Sequence, residues 1–319
     1  MPRKSTSEST AGGRRKRLAA AASVIPLAIG LASMQIPGSN ASATRAGVAQ
    51  PLSCALAFDG LAQHHPIDDS CGADGNAAED TPQAAQNDAK NNFCAPGPPV
   101  NVTFDALRQL QDEAAKRVTF GGDKSLPDDR SELSDLPTTA GSLGEGMQAR
   151  VAAFIMDAHY SNVSNGESVN CKTHGKESND IHIVLSETSD ETDQCNSATA
   201  EMSPHSRPDL WNPDVLNETD TSIFPKGGAK HMFRFTGQLF FDASHKPCSH
   251  GKGSPKRSTL WEIHPVYAVQ ICIEPNNQCT VDSDANWQSL TDFAAAANGE
   301  TRLRLPETKL RPARLDAGY

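Results

Sequence analysis

The sequence predicts a mainly β protein, with a small five-stranded OB-like barrel that follows a Cys-rich, partly helical N-terminal segment. Five short apolar or alternating segments between residues 147 and 275 have the length and pattern of barrel strands. One longer connection falls before the fourth of these segments, as expected of a small closed or partly open barrel. The chain contains eight cysteines, which predict that disulfide bonds stabilise it.

Residues 1–43 have the three parts of an export signal. A basic stretch at Arg14–Arg17 precedes a long apolar run, and the small residues Ala41-Ser42-Ala43 follow it. A membrane anchor is the alternative, because the run approaches the ~20 residues that a span needs. Pro26 inside the run and the Ala-Ser-Ala ending favour cleavage, by either the Sec or the twin-arginine route. We therefore predict a secreted or periplasmic protein without a membrane span after signal cleavage.

The composition limits the partners. The chain has 319 residues, of which 37% are hydrophobic and 5% aromatic, enough for one core with accessory segments. Residues 44–319 contain 23 basic and 38 acidic residues, a formal charge of −15. A protein this acidic binds nucleic acid or anionic lipid poorly, so we do not expect nucleic acid as a partner.

An even number of cysteines in an exported chain favours disulfide bonds over free thiols. The absence of any Cys-x-x-Cys argues against thioredoxin-like chemistry and a zinc ribbon. We expect the three earliest cysteines to pair largely among themselves, with one reaching Cys248, and we expect Cys171–Cys195 and Cys272–Cys279 bonds. The cysteines are Cys54, Cys71, Cys94, Cys171, Cys195, Cys248, Cys272 and Cys279.

Two segments precede the barrel. Residues 44–120 form the Cys-rich segment, with a short helix expected within 81–92 and a second near 103–118. Apolar residues from Phe104 onward recur at helical spacing in the second helix. Residues 121–146 are rich in Asp, Gly and Pro, so they are predicted to form an exposed polar linker.

The barrel domain is predicted to span residues 147–275. In the second strand, three apolar residues alternate with Asp180 and His182, which places these two polar residues on the outer, solvated face. In the fourth strand, the alternating residues around Gly237 form a core face, and Gly237 itself suits a bulge. The predicted strands lie at 149–156, 179–185, 198–202, 231–241 and 260–272.

The fifth strand ends the barrel. Trp261 and Ile263 are predicted in the core, opposite Glu262 and His264, and Pro265 marks an edge or a break. The core of this closing half is predicted to comprise Phe233, Phe235, Leu239, Trp261 and Ile263. The tail, residues 276–319, contains a short helix at 286–297, and its end is expected to be loosely ordered.

These segments resemble a group of bacterial exported proteins of unknown function with an OB-like barrel. The matching stretches are GMQARVAAFIMDAH, NDIHIVLSE, ATAEMSPHSRP, FRFTGQLFFDASH and LWEIHPVYAVQIC. The most specific part is LWEIHPV with the preceding FFDASH, and the resemblance covers about residues 50–275. It implies the fold and export but no established activity, so no catalytic residue is assigned.

Three carboxylate–histidine pairs are the candidates for chemistry: Asp180 with His182, Asp242 with His245, and Glu262 with His264. Strand residues two apart point the same way, and imidazole with carboxylate suits Zn, Mn or Fe. A metal bound by His182, His245 and His264 could activate water, which makes a metal-dependent hydrolase the alternative hypothesis. A structural role is favoured, because no His-Glu-x-x-His or other compact ligand motif is present.

The preferred hypothesis is an exported, disulfide-stabilised OB-like protein that acts as a binding or structural module. Such barrels bind oligonucleotides or sugars on one face, and the residues that could contribute here are His182, Arg207, Arg234, Trp261 and the basic loop Lys246–Arg257. For this loop a solvated surface is favoured over phosphate binding, because it lacks interleaved aromatic residues. The expected partner is an unknown small molecule or a cell-envelope component; no cofactor is expected unless it is a divalent metal. The candidate ligand-binding residues are Asp180, His182, Arg207, Asp242, His245, Glu262 and His264.

Overall fold

The computed structural model describes residues 65–275 and 277–299. The export signal, Cys54 and residues 300–319 lie outside the described residues, so the expectations about them stay predictions. Within this part of the chain, no helix combines the length and apolarity that a bilayer span requires.

Nine strands and four α-helices occur in the described residues. The strands are β1 (Val100–Asn101), β2 (Leu136–Thr138), β3 (Gly141–Leu143), β4 (Gln148–Tyr160), β5 (Ile181–Ser186), β6 (Ala198–Met202), β7 (Met232–Phe241), β8 (Trp261–Cys272) and β9 (Trp287–Ser289). The helices are α1 (Pro82–Lys90), α2 (Phe104–Ala114), α3 (Pro213–Leu216) and α4 (Leu290–Ala297). Both helices predicted in the Cys-rich segment and the helix predicted in the tail are therefore observed.

Five of the strands close into a barrel. The pairs β4–β5, β5–β6, β7–β8 and β4–β7 are antiparallel, whereas β6 and β8 run parallel. The order around the barrel is therefore β4-β5-β6-β8-β7 and back to β4. The predicted mainly β fold with a small five-stranded barrel is confirmed, and β1 and β9 add to it at β4 and β8.

The closing half of the barrel has the predicted core. Phe233, Phe235, Leu239, Trp261 and Ile263 are all buried in the main apolar cluster. Alternation along β7 and β8 accounts for this, because side chains two apart share the inward face.

A bulge interrupts the β7–β8 pairing at Gly237, as predicted. A Cβ atom at Gly237 would lie 2.3 Å from the Pro265 carbonyl oxygen, so glycine permits this close approach. Pro265 lies opposite the irregular stretch, where its lack of an N–H costs no ladder hydrogen bond.

The polar linker predicted at 121–146 is only partly exposed. This segment contains the β2–β3 hairpin, and four of its leucines are buried against the same core as α2. The buried leucines are Leu126, Leu133, Leu136 and Leu143. The spacing of these leucines follows neither helical nor strand periodicity. Because most of their neighbours are polar, the sequence pattern indicated a loop.

Three disulfide bonds join described cysteines: Cys71–Cys171, Cys195–Cys248 and Cys272–Cys279. The expected Cys272–Cys279 bond is confirmed, whereas the expected Cys171–Cys195 bond is wrong. Cys248 bonds Cys195 and not an early cysteine, and Cys71 does not pair within the early group. Cys94 is disulfide-bonded as well. Pairings of this number fit an oxidising compartment.

Residues 71–95, which we call the cap, cover part of the outer face of the barrel. The Cys71–Cys171 bond ties the cap to the β4–β5 loop. Gln238 Nε2 donates to the Ala89 carbonyl at 2.5 Å, and the Tyr267 hydroxyl donates to the Asn92 carbonyl at 2.6 Å. The cap therefore excludes water from outward-facing residues of β7 and β8.

Candidate functional site

The three carboxylate–histidine pairs converge on one buried charged cluster beneath the cap. His182 on β5 lies directly opposite Glu201 on β6. The parallel β6–β8 pairing matches Ala200 with Ile263, which brings Glu201 next to His264. Outward-facing positions of three neighbouring strands thus form a continuous polar row.

The expectation that Asp180 and His182 are solvated is wrong. Their outward direction was predicted correctly, but the exposed fractions are only 1% for Asp180 and 7% for His182. Asp242, Glu262 and His264 are buried as well. The reason is tertiary, because the cap and the β4–β5 loop cover this face of the sheet.

Arg257 neutralises two of the carboxylates. Its guanidinium, which is buried, donates to Asp242 at 2.8 Å and to Glu262. Its position differs from the solvated loop that the sequence favoured for Lys246–Arg257. Burial would lower the pKa of Arg257, but the carboxylates of Glu262 and Asp242 outweigh this effect and raise it.

His245 lies at the edge of the cluster with its side chain 41% exposed, and its Nδ1 is 2.6 Å from Asp242 Oδ2. Burial would raise the pKa of Asp242, but the hydrogen bond with His245 and the charges of Lys90 and Arg257 hold it well below its usual range. Burial would lower the pKa of His245, but the same contact with Asp242 raises it. Each partner thus favours the charged form of the other.

His264 is surrounded by three carboxylates. Its Nδ1 lies 2.9 Å from Glu201 Oε2 and 3.6 Å from Glu262 Oε2, and its Nε2 lies 3.8 Å from Asp180 Oδ2. The shortest contact is an ion pair without hydrogen-bond alignment, because neither of its two atoms has an aligned partner among the described residues. Burial would lower the pKa of His264, but the carboxylates of Glu201 and Glu262 raise it to about 10.

Asp180 is held by one of its two oxygens. Asn170 Nδ2 donates to Asp180 Oδ1 at 3.1 Å, whereas Oδ2 has no hydrogen-bond partner in the described chain. Burial and the nearby Glu167 carboxylate raise the pKa of Asp180 to about 7, against the opposing charge of His264. Its second oxygen therefore faces the interior of the cluster.

His182 is the least satisfied side chain of the cluster. Neither ring nitrogen has a hydrogen-bond partner within the described residues, and Nε2 lies 3.8 Å from Glu201 Oε1. Burial lowers the pKa of His182, with Glu201 acting in the opposite direction. The ring is therefore neutral at pH 7, with one donor and one acceptor to offer.

Two members of the cluster were not recognised as site residues from the sequence. Glu201 alternates with inward-facing Ala200 and Met202, so its outward direction was visible, but its proximity to His182 and His264 depends on strand register. Lys90 ends α1 and has Nζ 3.6 Å from Glu201 Oε2. Burial would lower the pKa of Lys90, but Glu201 and Asp242 raise it well above its usual value.

A cleft of ≈ 340 Å³ opens onto this cluster. His182, Glu201, Lys90, His245 and Arg257 are among the residues that line it. The other lining residues are His159, Tyr160, Ser161, Asn162, Glu167, Val184, Gln194, Asp242, Ser254, Pro255 and Lys256.

The other residues proposed for binding lie elsewhere. Arg207 donates to the carbonyls of Asn179 and Lys176 and lines a separate cleft of ≈ 390 Å³. Arg234 is buried and donates to Gln270, and Trp261 belongs to the barrel core. These three side chains do not line the cleft above His182.

No family model matches the chain, and neither do any of the curated proteins or solved structures with which it was compared. What the site can do therefore follows from its geometry. Buried carboxylates and cations nearly balance each other, and the unsatisfied hydrogen-bonding groups face either the cleft or the interior of the cluster.

Proposed function

We propose that this protein is an exported, disulfide-stabilised binding module whose ligand is a saccharide or the sugar portion of a cell-envelope component. The ligand occupies the cleft above His182 and Glu201. The strand order of the barrel, first-second-third-fifth-fourth and back to first, supports the OB-like assignment.

The position of the cleft supports this proposal. OB barrels bind ligands on the face of their second and third strands, between the loop joining strands one and two and the loop joining strands four and five. Here the second and third strands contribute His182 and Glu201. The first of these loops contributes Glu167, and the second contributes His245 and Arg257.

His182 carries the proposal. A buried, neutral imidazole with two unpaired nitrogens is costly unless a partner completes its hydrogen bonds. A sugar hydroxyl both donates and accepts, so neighbouring hydroxyls match the donor and the acceptor of the ring. The carboxylates of Glu201 and Glu167 add acceptors for further hydroxyls.

The net charge of the chain disfavours a nucleic acid. Residues 44–319 carry a formal charge of −15, and within the cleft Glu167, Glu201 and Asp242 offset Lys90, Lys256 and Arg257. A phosphate backbone would meet this repulsion, whereas a neutral saccharide would not. The hydrolase alternative is not favoured, because Arg257 already neutralises Asp242 and Glu262.

The test is calorimetric titration of the purified chain with the tetramers of glucose and N-acetylglucosamine, and with the oligonucleotide dT4. We expect saccharide binding that weakens about tenfold or more in His182→Leu, which removes two hydrogen bonds. The matched control is His231→Leu, since His231 is partly buried against Glu218 and lies outside this cleft.

Binding of dT4 in preference to both saccharides would contradict the proposal. Saccharide affinity unchanged in His182→Leu would also contradict it, because the cleft would then not be the site. Saturation-transfer NMR on the same samples reports which sugar protons contact the protein.

A further inference from the structure

We infer that Asp180, Glu201 and His264 form a binding site for a divalent transition-metal ion at the base of the charged cluster. This inference does not rest on the saccharide proposal, because Asp180 and His264 do not line the cleft. It concerns a different residue set from the three histidines that the sequence indicated.

The geometry of the three side chains is the first support. One ligand atom from each residue can be chosen so that all three lie within 4.8 Å of one another. Metal–ligand bonds of about 2.0–2.2 Å place neighbouring ligand atoms roughly 3–3.5 Å apart, so small side-chain shifts complete the site. Asp180 directly precedes β5, Glu201 lies on β6 and His264 lies on β8, and the β5–β6 and β6–β8 pairings bring these segments side by side.

Unpaired atoms are the second, independent support. Asp180 Oδ2, Glu201 Oε2 and His264 Nδ1 are buried and have no hydrogen-bond partner among the described residues. Glu262 Oε2 is unpaired as well and lies 3.6 Å from His264 Nδ1, so it supplies a candidate fourth ligand. Carboxylate oxygens that surround one imidazole without aligned hydrogen bonds are a poor hydrogen-bond network but a suitable ligand set, and a bound metal ion would displace the proton of His264.

The surrounding residues orient the ligands. Asn170 Nδ2 holds Asp180 Oδ1 at 3.1 Å and leaves Oδ2 directed toward His264. Such outer contacts fix ligand carboxylates in metal sites. Glu201 belongs to both the cleft and the metal site, so the cleft provides the path by which an ion reaches the buried residues.

The donor set selects the class of metal. One imidazole nitrogen with two or three carboxylates suits Zn²⁺, Mn²⁺ or Fe²⁺. Ca²⁺ and Mg²⁺ bind through oxygen ligands and, in the case of Ca²⁺, through six to eight of them. Lys90, with Nζ 3.6 Å from Glu201 Oε2, is a competing cation that limits the affinity.

The test is calorimetric titration of the EDTA-treated full chain with Zn²⁺, with Mg²⁺ as the comparison. We expect one Zn²⁺ per chain, no comparable binding of Mg²⁺, and affinity at least about tenfold weaker in Asp180→Asn and His264→Gln. His231→Gln is the matched control, because His231 contacts the Glu218 carboxylate at 2.5 Å on another part of the barrel. The affinity of His231→Gln for Zn²⁺ should equal that of the wild type.

Co²⁺ provides a readout that does not depend on the ligand variants folding. The d–d absorption of Co²⁺ bound to the wild-type chain should show nitrogen and oxygen ligation. Added Zn²⁺ should displace the Co²⁺ and abolish this absorption. Asn170→Ala, which keeps all the ligands, should weaken Zn²⁺ binding by a smaller factor than His264→Gln. Absence of saturable Zn²⁺ binding by the wild type, or loss of binding only in variants of exposed histidines such as His159→Gln, would overturn the inference.

Discussion

Charged side chains of this protein differ greatly in what their ion pairs contribute to stability. Arg257 is buried between Asp242 and Glu262, whereas Arg108 contacts Asp105 on the exposed surface of α2. Removing one partner of a buried ion pair leaves a carboxylate without compensation in a low-dielectric interior. Exposed pairs are screened by water and contribute little.

Replacement of Arg257 tests this difference at the residue scale. We expect Arg257→Met to lower the free energy of unfolding by about 3–5 kcal/mol, because Asp242 and Glu262 remain buried. The control Arg108→Met should cost less than about 1 kcal/mol. Urea unfolding at pH 7 measures both, and equal losses in the two variants would contradict the buried network.

At the scale of elements, α1 connects the cap to the site. Thr81 caps its start by accepting from the Ala84 N–H, and Pro82 occupies its first turn, where a missing N–H costs nothing. The helix buries Gln86 and Asn87 toward the barrel and ends at Lys90 over the cluster. Its exposed side carries Asp88 beside Asp74.

The pH dependence of stability should report on Asp88. Burial and the hydrogen bond with Asp74 raise the pKa of Asp88 from 3.8 to about 6. The folded chain therefore binds more protons than the unfolded chain between about pH 4 and 6, so this contribution lowers stability as pH rises through that window. Asp88→Asn should then stabilise the protein at pH 7.5 by a few tenths to about 1 kcal/mol, since Asp88 is exposed and screened.

The comparison requires urea unfolding of wild type and Asp88→Asn at pH 3.5 and 7.5. The stabilisation should nearly vanish at the lower pH, where Asp88 is mostly protonated in both the folded and the unfolded chain. Asp112→Asn, which removes an exposed aspartate from α2, controls for net charge. An equal increase in the free energy of unfolding of Asp112→Asn would contradict a specific effect of the contact between Asp74 and Asp88.

At the scale of the molecule, disulfide bonds hold the cap on the barrel. The Cys71–Cys171 bond spans 100 residues, whereas Cys272–Cys279 spans 7. The entropy that a cross-link removes from the unfolded chain grows with the loop it closes. The longer bond also fixes the cover over Asp180 and His182.

We expect the double replacement of Cys71 and Cys171 by alanine to cost about 4–5 kcal/mol, and that of Cys272 and Cys279 about 2 kcal/mol. Urea unfolding measures this difference. A larger loss from the shorter loop would contradict the loop-closure argument. Hydrogen exchange should also show faster exchange in α1 in the first variant only.

Local periodicity was sufficient for much of the fold. Period-two alternation in β5, β7 and β8 follows from the geometry of a strand, whose successive side chains point to opposite faces. It predicted the core residues, and it predicted that His182 and His264 face outward. Periodicity did not predict the burial of the leucines in 121–146, because their spacing matches neither a helix nor a strand.

The sequence by itself determined which segments form the five barrel strands, which face the alternating side chains of β5, β7 and β8 occupy, and where chemistry-bearing residues lie along the chain. Only the tertiary structure decided that Glu201 stands between His182 and His264, that Lys90 and Arg257 neutralise the carboxylates, and that the cap buries them. Strand register, disulfide pairing and coverage by a distant segment are long-range properties. They depend on contacts between residues far apart in sequence, which no local pattern contains.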